Sequence, residues 1–443
     1  MNRFLLIILY LLLTVQLTVY GQDANDNLLA NTILQDQSLD TVERSALKLL
    51  TGFSAGTSYN EIWIRDFNTF INGSLKVHKK ELVKEMLLLF FKIQATDGNI
   101  VDGLVDTSKA NVGYPYRYSP LLPTWAAHKN TVETDQESSL IQAVKKYVTQ
   151  TRDYSVLAEN IDGKKVVNRM EAALNYVLAD RWSPKYGLVK GATTIDWGDV
   201  QPEKGWGVAI NNNTKWAIDI YDNAMFSIAI QDFLMLIPKD YKATRDWSAV
   251  VRQIRVNVRK HLWSVKDQKY KPHLYLTDSP FSSSFSEGKI LYSGGSICAI
   301  QAGFNTVEEV KNIIKQLREA AAKEKFATIG MTVYPPYPKE AYPNMLPYQY
   351  QNGGDWTWFG GRIVPALLPY DLIGAAYEDL KPMITRVIKN KGFYEWYNVQ
   401  TGEPKGSGDF RGEAGILYDA ISTLKQWAMQ NRKAHLNNRY LPP

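Results

Sequence analysis

Apolar residues recur at helical spacing along this whole chain and almost nowhere alternate at the spacing of a strand. The periodic segments run Leu39–Phe53, Lys79–Lys92, Gln136–Tyr154, Lys165–Ala179, Asn223–Leu236, Thr244–Leu262, Thr306–Lys325, Thr357–Leu368, Tyr377–Lys389 and Gly412–Gln430. Several begin at good caps: in Asn305-Thr306-Val307-Glu308 a side-chain oxygen can take an orphan amide, and the acidic residue suits the helix dipole. Between them lie loops dense in Gly, Pro, Asn, Asp and aromatic residues, over 106–134, 192–222, 273–295, 332–354 and 394–409. Roughly ten to twelve helices, with a rich loop after about every second one, predict helical hairpins stacked in a ring. Loops that long and of that composition are usually functional, so a site at one end of the ring is expected. The fold expectation is all-α, and no Ser- or Pro-rich linker divides the chain.

The first residues read differently. Arg3 precedes an apolar run from Phe4 to Val15, and small Gly21 precedes polar Gln22 to Asn27, the order of a secretory signal cleaved near Gly21. The expectation is a signal over 1–21, a catalytic unit over 22–443, and a periplasmic or secreted product without a membrane anchor. Cys298 is the only cysteine, so neither an intrachain disulfide nor a cysteine zinc site can form. The five histidines show no metal-ligand spacing, and no metal or organic cofactor is expected. A net charge of +6 is spread without basic runs, which argues against nucleic acid as a partner. With 12 Trp, 26 Tyr and 15 Phe, the chain carries aromatic surface of the kind on which sugar rings stack.

Five acidic-aromatic clusters fall in or beside the loops: Trp63-Ile64-Arg65-Asp66, Glu133-Thr134-Asp135-Gln136-Glu137, Asp196-Trp197-Gly198-Asp199, Asn352-Gly353-Gly354-Asp355-Trp356-Thr357-Trp358, and Phe393-Tyr394-Glu395-Trp396-Tyr397-Asn398. Glycosidic hydrolysis needs this pairing of types. One carboxylic acid protonates the leaving oxygen, a second carboxylate activates water or attacks carbon, and neighbouring aromatics raise the acid's pKa and stack the ring. Each cluster also has a plainer reading, as helix caps, turns or a buried salt bridge.

The last cluster is followed by Thr401-Gly402 and by Gly406 before Phe410. This pattern resembles the (α/α)6 glycosidase superfamily of neutral trehalases, bacterial and processing α-glucosidases, alkaline/neutral invertases and the glucosidase half of glycogen debranching enzyme. The resemblance implies a six-hairpin toroid in which Glu395 is the general base. It places the general acid in the Asp196 to Asp199 stretch and favours Asp199, with Asp196 as a substrate or supporting ligand. Trp63, Arg65 and Asp66 match the element that holds the nonreducing sugar. Trp197, Asn352, Gly353, Trp356 and Trp358 match positions where backbone and indole approach it, and Asp135 lies in a segment that lines the sugar site in the invertase-like branch. Asp355 departs from the small residue or proline common there and is expected to add a sugar contact, and Arg411-Gly412-Glu413-Ala414 departs from a tryptophan-containing helix start. Both departures bear on substrate choice.

The resulting expectation is an exported, inverting, exo-acting glycosidase with Asp199 as acid and Glu395 as base, acting on oligosaccharides and first of all on α-glucosides. Two alternatives stay open. One is the same fold acting on α-mannosides or uronate-capped glycans, the uronate requiring cations in the pocket. The other is a noncatalytic glycan-binding protein of the cell envelope.

Overall fold

The computed structural model describes residues 25–110 and 113–439, with side chains as far as 432. The expected export signal over 1–21 lies outside the described residues. A helix over 25–35, here α1, precedes six outer-to-inner helical pairs. The outer helices are α2 (Gln37–Leu49), α4 (Lys80–Lys92), α6 (Val166–Asp180), α8 (Trp247–His261), α10 (Val307–Glu324) and α13 (Ile373–Asn390). Each leads into an inner one: α3 (Ile64–Val77), α5 (Gln136–Thr151), α7 (Ile220–Leu236), α9 (Gly294–Gln301), the pair α11 (Thr357–Gly360) and α12 (Ile363–Leu367), and α14 (Arg411–Arg439). Packing runs α3 to α5, α7, α9, α12 and α14, and α14 returns to α3, so the inner ring closes. The molecule is an all-α, six-hairpin (α/α)6 toroid.

The two rings differ in sequence because they differ in surroundings. Outer helices keep one wet face: α2 buries Leu39, Val42 and Ala46 as a stripe and leaves its other side to water. Burying a leucine such as Leu39 contributes about 1.5–3 kcal/mol, so Leu39→Asp would unseat α2 from α14. Inner helices have neighbours on nearly every side. In α7 the buried set from Ile220 to Leu236 goes right round the helix, polar Asp222, Asn223 and Ser227 included. Such a helix has little amphipathic signature, which is why α7 reads from sequence as starting only at Asn223. The same cause hid α3, whose first eight residues, Ile64 to Ile71, are all buried. α9 was hidden by its Gly294-Gly295 start, poor in helix propensity. The segment expected as one helix over Thr357–Leu368 is interrupted at Gly361 and Arg362 between α11 and α12.

All the inner helices begin at one end of the ring. The connections that reach them from the outer helices, 50–63, 93–135, 181–219, 262–293, 325–356 and 391–410, therefore gather at that end, whereas most of the returns are shorter. The 93–135 connection supplies three strands, β2 (Gly103–Asp106), β3 (Arg117–Ser119) and β4 (Leu122–His128), which join β1 (Ile62–Trp63) of the 50–63 connection in an antiparallel sheet ordered β1, β2, β4, β3. No helix among the described residues is long and apolar enough to cross a membrane.

Candidate active site

The loop-bearing end holds a cleft of about 540 Å³ lined from several directions by Tyr59, Trp63, Arg65, Asp66, Asp102, Asn130, Glu133, Trp197, Asp199, Trp206, Tyr350, Trp356, Trp358 and Glu395. Inner helices pointing their N-termini at this end turn the positive ends of their dipoles toward it, which suits a carboxylate-rich lining.

Arg65, in the first turn of α3, is the hub. Its Nε and Nη2 donate to the two oxygens of Asp135 at 2.7 and 3.0 Å, Nη2 also meets Glu133 at 3.0 Å, and Nη1 meets Asp199 at 2.7 Å. One guanidinium thus faces three carboxylates. Burial and the neighbouring carboxylates raise the Glu133 pKa well above its ordinary value, against the opposing pull of Arg65. Of the three, Asp135 has no exposed side-chain surface, Glu133 has 6% and Asp199 has 21%, so Asp199 is the member most open to the cleft. Its backbone amide donates to Gln351 Oε1 at 3.0 Å, and its Oδ2 accepts from the Tyr350 hydroxyl at 3.2 Å.

Glu395 enters from another loop. It stands at the foot of a short hairpin in which Trp396 pairs with Lys405 and Tyr397 with Pro404. Its Oε2 accepts from the Tyr59 hydroxyl at 2.7 Å and from the Ser407 amide at 3.1 Å. Gly406, at φ +69°, closes the hairpin against this carboxylate, and a Cβ there would collide with it. Burial raises the Glu395 pKa, with Asp199 adding in the same direction, while Tyr59 and Ser407 oppose the rise. Tyr350 lies within the electrostatic reach of both Asp199 and Glu395.

Aromatic side chains form the floor. Trp197 stacks on Phe359 at 4.6 Å and meets Trp356 and Trp358 edge-on at 4.8 and 5.1 Å. Trp63 leans on Tyr59 at 4.8 Å, and Trp206, largely exposed, sits above Tyr350.

Trp63, Arg65, Asp66, Trp197, Asp199, Trp356, Trp358 and Glu395 are thus brought together on one cleft, as their motifs anticipate. Other residues singled out from sequence stand behind its wall. Asp196 is turned away by a left-handed backbone, φ +55°, and its two oxygens accept from the amides of Gly294 and Gly295 at 2.7 and 2.8 Å, capping α9. Asp355 is spent on Arg386 of α13, at 2.6 and 3.0 Å, and on Thr328 at 2.7 Å. Asn352 ties the amide and carbonyl of Tyr337 and the carbonyl of Met345, and Gly353, at φ +91°, turns the chain beside it. Asp135 braces Arg65 and accepts from Tyr221 at 2.6 Å without reaching the cleft. The contacts of these five are to protein, and none of them lines the cavity.

The motifs also miss residues. Asp102 hangs just before β2, where its carbonyl receives the Ile64 amide, and burial among carboxylates pushes its pKa up to about 7. His128, at the end of β4, lines the same wall and is held neutral by burial, its pKa lowered to about 4. Tyr59, Asp102, Asn130 and Tyr350 are isolated in sequence, and no local pattern marks them. Among the described residues no group of three or more His, Cys, Asp or Glu is arranged to hold a metal ion.

The structure is thus a closed six-hairpin ring with carboxylates and aromatics gathered at its loop end. Solved structures with this fold include the GH63 mannosylglycerate hydrolase of Thermus thermophilus in complex with glucose, at 15% identity and TM-score 0.61 over 85% of this chain and 99% of that one. The rhamnosidase from Klebsiella oxytoca with rhamnose bound matches at 12% identity and TM-score 0.57, over 88% of this chain and 64% of that one. A GH78 rhamnosidase of a Bacillus species matches at 14% and 0.57, over 87% of this chain and 34% of that one. At such identities the likeness is one of fold. No protein-family model matches the sequence, and no curated protein sequence does.

Proposed function

We propose that this protein is an exported, inverting, exo-acting glycosidase, with Asp199 as the general acid and Glu395 as the general base, and with α-glucosides as the first substrates to try. The observation that carries this reading is that Asp199 and Glu395 face one aromatic-floored cleft from different loops, with Tyr350 reaching both electrostatically. In the reaction Asp199 delivers a proton to the glycosidic oxygen as the bond to the anomeric carbon breaks. Glu395 removes a proton from the water that attacks the opposite face. Arg65 and Tyr350 fix the Asp199 carboxyl. Tyr59 and Ser407 aim the Glu395 carboxylate and leave its Oε1 to water. Inversion calls for a carboxyl separation of roughly 6.5–9.5 Å in the substrate complex. A cavity of about 540 Å³ falls in the range of small-ligand pockets, which supports release of single terminal sugars.

The mannosylglycerate hydrolase and rhamnosidases that share the fold act, by their names, on other sugars, so α-mannosides and α-rhamnosides belong in the same substrate panel. Kinetics separate an enzyme from a glycan-binding protein. Glu395→Gln lowers kcat by about a thousandfold or more with sugar affinity kept, and Asp199→Asn spares aryl glycosides with good leaving groups far more than natural ones. Unchanged turnover in Glu395→Gln removes the base assignment. The leaving-group pattern appearing in Asp196→Asn instead moves the acid.

A further inference from the structure

The cleft's charges are unbalanced in a way that hydrolysis alone does not require. Its lining contains six carboxylates, Glu61, Asp66, Asp102, Glu133, Asp199 and Glu395, against two permanent cations, Arg65 and Lys129. Both cations are already committed. Arg65 is shared among three carboxylates. Lys129 has three N–H groups, and its Nζ is bonded three times, to Asn99 Oδ1 and the Ile100 carbonyl at 2.9 Å and to Glu137 at 2.8 Å. His128 is neutral. No cation of the lining is left for an incoming anion.

The acidic side is the reverse. Asp66 is nine-tenths buried and its Oδ1 has no partner. Glu61 and Asp102 lie close by on β1 and β2 approaches, and neither side chain makes a hydrogen bond or ion pair with a described residue. Tyr114, Trp63 and Tyr59 wall the same part of the cleft. Unpaired carboxylates beside aromatic faces accept hydroxyl donors and attract ammonium groups, and they repel anions.

We propose that the cleft is a charge filter, in which Glu61, Asp66 and Asp102 admit neutral and amine-bearing sugars and exclude uronates, sulfated sugars and carboxylate-bearing aglycones. This deepens the glycosidase reading and rests on it for the identity of the ligand as a sugar. It closes the uronate alternative, which needs cations the cleft does not have free. It also sets this cleft apart from one that takes mannosylglycerate, whose aglycone is an acid.

Isothermal titration of the mature protein with 6-amino-6-deoxyglucose, glucose and glucuronate tests this, since the three share a ring and differ in charge at one carbon. The same series is run on mannose and galactose frames. Affinity is expected to change roughly tenfold per unit of ligand charge at low salt, amine over neutral over acid, with the spread shrinking as salt is added. Asp102→Asn narrows the spread, and Glu61→Gln does so if the first variant fails to fold. A uronate that binds as tightly as its neutral counterpart in any series overturns the filter, as does failure of every sugar to bind. The readout needs no turnover. An intact charge order without hydrolysis strikes only the catalytic assignment, and hydrolysis of uronate-capped substrates strikes only the filter.

Discussion

Asp355→Asn separates a sugar contact from a structural brace at the position where the sequence departs most visibly from its look-alikes. Asp355 is 1% exposed and takes two hydrogen bonds from Arg386 and one from Thr328. Its backbone also pairs with Tyr397, two residues beyond Glu395, through reciprocal bonds of 2.9 and 2.8 Å. The amide side chain can keep the Thr328 bond but presents an N–H to a guanidinium that is itself buried against Tyr397 and bonded to Thr357. Removing one partner of a buried ion pair costs about 3–5 kcal/mol. Glu413 also draws on Arg386 electrostatically and recovers part of the lost pairing, so a loss of about 3 kcal/mol is expected. Denaturant titration followed by tryptophan fluorescence measures it. The double variant Asp355→Asn, Arg386→Met is expected to be less destabilised than the sum of its singles, because the orphaned charge is gone. A fully stable Asp355→Asn whose KM alone rises would refute this reasoning and return Asp355 to the substrate.

Tyr59→Phe removes a donor that holds the Glu395 pKa down, so the acid limb of the kcat/KM profile moves to higher pH, with a loss of rate. An unmoved limb would mean that another group titrates there. Asp196→Asn unsatisfies one amide at the start of α9 and costs about 1–3 kcal/mol in denaturation midpoint measurements, with KM little altered. A KM effect at full stability would place Asp196 on the sugar. Asp102, Asp196, Asp219 and Glu413 have pKa values raised to about 7 or 8 by burial, so between roughly pH 4 and those values the folded chain holds more protons than the unfolded one. Their stabilising contribution is fully present at the acid end of that window and is lost as pH rises through it. The melting temperature is therefore expected to fall between roughly pH 5 and pH 8, and a rise would contradict the burial of these carboxyls.

The ring was legible because outer helices must keep one wet and one dry face, and that asymmetry survives in sequence as period. The inner helices carry it weakly: α3 is dry all round at its start, and α9 opens on two glycines. Cleft residues were legible where several share a short motif, as in Trp63 to Asp66, or where the motif centres on one carboxylate, as at Glu395. Motif alone does not say which face of the wall a residue takes. Asp196 and Asp199 lie three apart, yet the left-handed backbone at Asp196 sends one carboxylate to the α9 amides and the other to the cleft. Asn352 and Asp355 flank tryptophans that do line the cleft, and both are consumed by loop bonds. Asp102 was invisible because a lone aspartate before a strand signals nothing until β2 pairs with β1 and brings it beside Asp66.

The most direct test of the central claim is proton NMR of the purified protein with α-linked gluco-, manno- and rhamno-oligosaccharides, recording the anomer first released. The account predicts cleavage of a neutral terminal sugar with the β-anomer appearing first and the α-anomer only by mutarotation. First release of the α-anomer would make Glu395 or Asp199 a nucleophile at about 5 Å and contradict the inverting mechanism.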